Sequence, residues 1–127
     1  MNEEIYESIN REHTLYCIYL QLTEDQTVQV GKLGDYLFRK GTYIYVGSAK
    51  KNIVNRIHRH IQIDKKLHWH FDYLRPSGMI TKIITYDERL GECALAEKIR
   101  KKESGVFPIK GFGSSDCRCQ SHLIYIQ

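Results

Sequence analysis

Arg56 and His60 stand four residues apart. On a helix, at ~100° per residue, they lie about 40° apart on one stripe. That stripe borders Ile53, Ile57 and Ile61, which recur at i, i+4 and i+8. Both side chains therefore lean over whatever the isoleucines pack on. Just before them, Tyr43-Ile44-Tyr45-Val46 delivers Tyr45 to a turn of small residues, Gly47-Ser48-Ala49, where a backbone or a phosphate can come close. Arginine suits a phosphate through paired hydrogen bonds. Histidine or tyrosine moves protons. A divalent cation held by a carboxylate polarises a phosphate and supports a leaving oxygen. Together these meet the needs of phosphodiester hydrolysis. The plain alternative is that the tyrosines pack a sheet and that Arg56 and His60 line a solvated helix edge.

The elements that must position these groups follow from pattern. Residues 14–22, TLYCIYLQL, are β-branched and aromatic and predict a central strand. Residues 27–32 predict a second strand after a polar turn at 23–26, and Gly34-Asp35 marks another turn. Residues 41–47 predict a third, with Tyr43 and Tyr45 on one face and Ile44 and Val46 on the other. The spacing predicts a helix over 52–63, with Asn52 as its N-cap. Residues 68–74, HWHFDYL, fit a helical turn or a strand, and Pro76, Ser77 and Gly78 end them. A strand over 79–86, a second long helix over 88–103, a glycine-punctuated loop over 105–119 and a short strand over 122–127 complete the chain, with a short helix over 2–10. The expected fold class is α+β: a small, mostly antiparallel central sheet flanked by helices. It is expected as one domain over 1–127, with its core at 14–124 and a short N-terminal extension, 1–13.

Length and composition agree with that expectation. A chain of 127 residues fits one domain with its own core. It shows neither an apolar run long enough to span a bilayer nor a signal-peptide pattern, and its acidic, amphipathic start has the wrong sign for secretion. A cytoplasmic protein with no membrane partner is expected. The net charge of +4 permits contact with nucleic acid. Basic residues gather in 39–66 and 98–102, and Ser48, Lys50, Lys51 and Arg59 are the candidates for such contact. Of four cysteines, Cys17 falls in a strand pattern and Cys93 in a helix pattern, and both read as small core residues. A disulfide framework is not expected in a cytosolic chain of this size.

Two further blocks carry titratable groups. If 68–74 is extended, His68, His70 and Asp72 share one face and could bind a metal or orient a catalytic group. The alternative is a buried network of Asp72 with a histidine beside Trp69. In the second block, Cys117, Cys119 and His122 could supply three zinc ligands, although C-x-C-x2-H is not a standard finger spacing. That reading would make the chain a structural zinc-binding interaction domain. The alternative is a tight loop in which Asp116 caps backbone N–H groups.

Taken together these motifs resemble the GIY-YIG nuclease superfamily. Residues 43–49 followed by Arg56 look like the second half of its motif, and Thr14-Leu15-Tyr16 stands where the first half would be. Arg56-x-x-Arg59-His60, HWHxDYL at 68–74, the pair Glu92-Cys93 and GFGSSDCxCxxHL from Gly111 resemble one prokaryotic branch of it, whose members are sometimes fused to a DNA glycosylase of the endonuclease III type. The resemblance implies a divalent-metal-dependent endonuclease acting on DNA, in repair or processing, with a possible DNA-repair partner. It implies that Tyr16 and Tyr45 are the two motif tyrosines, one assisting deprotonation of the attacking water. It implies that Arg56 contacts the scissile phosphate and that His60 fills the position one turn later. A glutamate on the later helix would hold magnesium or manganese. Thr14 departs from the first motif glycine, and Ser48 stands where some members have lysine. A nucleic-acid-binding module without turnover is the alternative.

The later helix offers two acids. Leu95, Ala96 and Ile99 lie at +3, +4 and +7 from Glu92, which places Glu92 in the apolar stripe, while Glu97 projects about 140° away. An inward carboxylate is costly unless paired or metal-bound. Glu92 is therefore the favoured metal ligand and Glu97 the second choice; the alternative for Glu92 is a pairing with Arg56 or a histidine.

Overall fold

A computed structural model describes residues 8–87, 89, 91–114 and 119–127. Four strands form an antiparallel sheet: β1 (Leu15–Leu22), β4 (Gly41–Ser48), β5 (Met79–Tyr86) and β6 (Leu123–Ile126), in the order β5-β1-β4-β6. Two more, β2 (Gln26–Val30) and β3 (Gly34–Phe38), form a separate antiparallel hairpin. Among the described residues three α-helices accompany them: α1 (Ile53–Ile61), α2 (His70–Leu74) and α3 (Gly91–Lys102). The fold is α+β, as its pattern predicts. No helix among the described residues is long and apolar enough to cross a membrane.

Strand β1 lies between β4 and β5 and is buried at every position except Gln21. Burial on both faces explains its nearly unbroken apolar run. Tyr16, Ile18, Leu20 and Leu22 face one way, with Tyr43 and Tyr45 of β4, and α1 and α2 cover them through Ile53, Ile57, Ile61, Phe71 and Leu74. Leu15, Cys17 and Tyr19 face the other way with Ile44 and Val46, and α3 covers them through Leu95, Ala96 and Ile99. Fully burying one such aliphatic side chain contributes roughly 1.5–3 kcal/mol.

Several local expectations need correction. Residues 34–38 are a strand rather than only a turn, and β2 ends at Val30 because Gly31, at φ +49°, opens a 3₁₀ turn over Gly31–Leu33. Asn52 precedes α1 in the left-handed conformation, at φ 54° and ψ 54°, and its side chain makes no cap. Residues 70–74 are helical, so His68, His70 and Asp72 do not share the face of a strand. Cys17 is a core residue, but Cys93 is only half-buried and faces a histidine. The N-terminal helix expected over 2–10 falls largely outside the described residues, although Ile9 packs into the core.

Candidate active site

The antiparallel register sets Tyr16 opposite Gly47. The Tyr16 ring lies across that glycine, and a Cβ added there would overlap its ring and hydroxyl. The close approach explains why Gly47 has no side chain. On the next strand pair Ile18 faces Tyr45, so the two tyrosines point to the same face. Helix α1 follows the turn after Ser48 and brings Arg56 and His60 over that face.

Tyr16, Tyr45, Ser48, Arg56 and Glu92 line one pocket of about 220 Å³. Gly47, His68, Trp69, His70, Gly113 and His122 complete its wall. Arg56 Nη1 donates to the Ser48 carbonyl at 3.0 Å, and its guanidinium lies 4.8 Å from the centre of the Trp69 ring. That arrangement fixes the guanidinium at the pocket edge. His70 Nδ1 accepts from the Gly113 N–H at 2.8 Å and ties the backbone at Gly113 to α2.

His60 stands behind Tyr16 rather than on the pocket surface. It is 1 % exposed, and its Nε2 is 2.8 Å from the Tyr16 hydroxyl. Its Nδ1 faces Asp72 Oδ1 at 3.8 Å, too far for a hydrogen bond, and has no hydrogen-bond partner. A proton on Nδ1 is favoured by the carboxylate it faces and leaves Nε2 to accept from Tyr16. Burial lowers the His60 pKa below its ordinary value and Asp72 opposes that only in part, so the imidazole is neutral near pH 7. Burial also raises the Tyr16 and Tyr45 phenols, strongly in both, with Arg56 pulling each back a little. Neither tyrosine ionises by itself at neutral pH.

Asp72 is the anchor of this cluster. Its buried carboxylate accepts from both guanidinium nitrogens of Arg59 at 3.1 Å, from the His68 and Trp69 N–H groups at 2.8 and 2.9 Å, and lies 3.3 Å from Lys65 Nζ. Burial alone would raise its pKa, but the facing His60, Arg59 and the two backbone donors win and hold it well below the usual carboxylate range. Of the two readings of the 68–74 block, the buried network is the one present for Asp72, while His68 and His70 reach the pocket. Arg59, expected as a nucleic-acid contact, is instead forked onto Asp72 and stacked 4.5 Å over Trp69.

Glu92, on the first turn of α3, is the only carboxylate lining the pocket among the described residues. Its side chain is 33 % exposed, and its Oε2 is 3.9 Å from His122 Nδ1. It makes no ion pair with Arg56 among the described residues. Glu97 points elsewhere: its side chain is 42 % exposed and it pairs with Arg100 and Lys101 on its own helix. From Glu92 and Ser48 a shallower depression continues to Lys50, while Lys51 is exposed beside it.

Beside Glu92 lies a second cluster. Cys93, Cys119 and His122 bring their ligand atoms within 4.8 Å of one another, and this group could hold a metal ion. His122 Nε2 is 3.4 Å from Cys93 Sγ and 2.9 Å from Cys119 Sγ. Asp116 and Cys117, the other expected members of this loop, lie outside the described residues. Sequence periodicity assigned Cys93 to the core, because nothing local reveals a loop arriving from residues 119–122. The adjacency of Cys93 to Glu92 is the one signal that could have placed it here.

Residues 15–127 match the family described as Domain of unknown function DUF123. The chain belongs to that family. The match contains every group just described, from Tyr16 to His122, so pocket and sulfur cluster both lie within the family's own extent. No curated protein and no solved structure matches the chain.

Proposed function

We propose that this protein is a divalent-metal-dependent endonuclease that hydrolyses phosphodiester bonds in DNA. One observation carries the reading: a single pocket gathers an arginine, a carboxylate and a tyrosine whose hydroxyl is hydrogen-bonded to a neutral buried histidine. The resemblance to GIY-YIG nucleases, drawn from the same residues, supports it, as does the absence of an Arg56–Glu92 pairing among the described residues.

Arg56 would hold a non-bridging phosphate oxygen, its guanidinium already oriented by Ser48 and Trp69. Tyr16 would act as a relay. As water attacks phosphorus, its proton passes to the Tyr16 oxygen while the Tyr16 proton moves to His60 Nε2. No free phenolate forms, which matters because burial makes one costly. The imidazolium so produced faces the Asp72 carboxylate. The phosphorus–oxygen bond to the leaving strand breaks opposite the new one, the leaving oxygen takes a proton from solvent water, and His60 releases the proton it holds back through Tyr16 to solvent.

A carboxylate reachable from solvent suits a hard cation that keeps most of its waters. Glu92 fits magnesium or manganese in that sense, and such an ion would neutralise the phosphate and support the leaving oxygen. Lys50 brings positive charge to the adjoining depression, where a DNA strand would run, and Lys51 is exposed next to it in the chain. DNA repair or processing, in the cytoplasm and alongside a repair partner, is the setting we propose. The test is a nicking assay on supercoiled, branched and damaged DNA, with and without magnesium or manganese. Metal-dependent cleavage of at least one substrate is expected; no cleavage of any of them overturns the reading.

A further inference from the structure

We propose that Cys93, Cys119 and His122 bind a zinc ion that clamps the C-terminal loop at Cys119 and His122 to the start of α3 and fixes the pocket wall carrying Glu92. The three ligands come from two segments remote in sequence, 29 residues separating Cys93 from His122. Two sulfurs and one imidazole form a donor set for a thiophilic cation, with zinc–sulfur bonds of about 2.3 Å and zinc–nitrogen bonds of about 2.0–2.1 Å. Donors at those bond lengths around a tetrahedron sit roughly 3.5 Å apart. The separations of 3.4 and 2.9 Å around His122 Nε2 are already near that spacing.

The surroundings fit the same reading. His122 is buried and turns Nε2 toward both sulfurs while Nδ1 faces Glu92 Oε2 at 3.9 Å. An imidazole with a carboxylate behind its non-ligating nitrogen is the usual way to orient a zinc-bound histidine. The loop is also pinned to the sheet next to this point: His122 N–H donates to the Phe112 carbonyl at 2.8 Å, and the Val46 N–H donates to the His122 carbonyl at 2.9 Å. A metal bond from His122 to Cys93 would therefore join α3, the loop and β4 at one place.

The cluster is distinct from the site proposed for magnesium or manganese. Those hard ions prefer oxygen and leave thiolates to softer metals. Glu92 touches both: one face toward the pocket, one oxygen toward His122. The zinc would thus hold Glu92 in position through His122.

Metal analysis of the full chain, purified without added chelator, tests this. About one zinc per chain is expected in wild type and in Cys17→Ala, whose cysteine lies in the core away from the cluster. Cys93→Ser and Cys119→Ser should each lose most of it. Cobalt added to metal-free wild type should give the intense visible bands of tetrahedral thiolate ligation, and these should be absent in Cys93→Ser. Zinc should raise the melting temperature of metal-free wild type far more than that of metal-free Cys93→Ser, because it binds the folded site. The proposal is overturned if wild type holds no zinc and cobalt gives no thiolate bands. It is equally overturned if both serine variants keep full zinc, or if mass spectrometry of fresh protein finds Cys93 and Cys119 joined as a disulfide. A chain that holds zinc but cuts no DNA would remove the nuclease reading and leave this site standing. A chain that cuts DNA with no zinc bound would remove this site alone.

Discussion

Tyr16 and His60 form the pair on which the proposed chemistry turns. The hydroxyl sits 2.8 Å from Nε2, both side chains are 1 % exposed, and burial keeps the phenol protonated and the imidazole neutral. Tyr16→Phe removes the relay and leaves Nε2 buried without a donor. We expect a stability loss of about 1–3 kcal/mol and a cleavage rate lower by about 10²–10⁴, read from a denaturant midpoint and single-turnover nicking. Tyr45→Phe should cost less, since that ring stacks on Phe71 and has no hydrogen bond to His60. Asp72 makes a separate prediction. Asp72→Asn leaves Arg59 and the nearly buried Lys65 without their anion, and should destabilise the fold by about 3–5 kcal/mol. The folded carboxyl titrates below its ordinary value of 3.8, so its contribution is present above that pH and is lost as pH falls below it. The gap between wild type and Asp72→Asn in urea melts should therefore be full at pH 6 and shrink below about pH 4; a gap independent of pH would contradict the assignment. These roles were only partly legible in the sequence. Arg56 and His60 declared themselves by four-residue spacing, but the donors to Asp72 come from Arg59, Lys65 and its own helix start, which no periodicity displays.

Strand β4 and helix α1 are where the sequence spoke most clearly. The alternation of Tyr43 and Tyr45 with Ile44 and Val46 matches the two core clusters, and Ile53, Ile57 and Ile61 mark the buried side of α1. The 68–74 block resisted because a five-residue helix is too short to show a period. The β3 strand was hidden because Gly34 and Asp35 carry turn chemistry while belonging to its first two positions. Cys93 was misplaced because a helix pattern records which face is covered, not what covers it. Gly47 gives the prediction at this scale. Gly47→Ala would push the new Cβ into the Tyr16 ring across the β1–β4 pair, and Tyr16 would have to leave His60. Cleavage should fall about as far as in Tyr16→Phe, while circular dichroism keeps the same strand and helix content. Wild-type cleavage by Gly47→Ala would show that the position of Tyr16 does not matter.

Over the whole molecule, the sheet is covered on both faces, by α1 and α2 on one side and α3 on the other. The pocket opens where these layers meet. It draws Tyr16, Tyr45 and Ser48 from the sheet, Arg56 from α1, Glu92 from α3, and Gly113 and His122 from the C-terminal loop. Residues from one end of the chain to the other must therefore pack before the site exists. If DNA is the substrate, as proposed, the net charge of +4 and Lys50 beside Glu92 would favour its phosphates, so affinity should rest on phosphate contacts and fall with added salt. The most direct test of the central claim is single-turnover nicking of supercoiled plasmid in magnesium or manganese by wild type, Arg56→Ala and Glu92→Ala. Each protein is first shown to be folded by its thermal melt. Wild type should cleave, a chelator should stop it, and neither folded variant should cleave detectably. Cleavage at the wild-type rate by both variants, or by wild type without divalent metal, would contradict it.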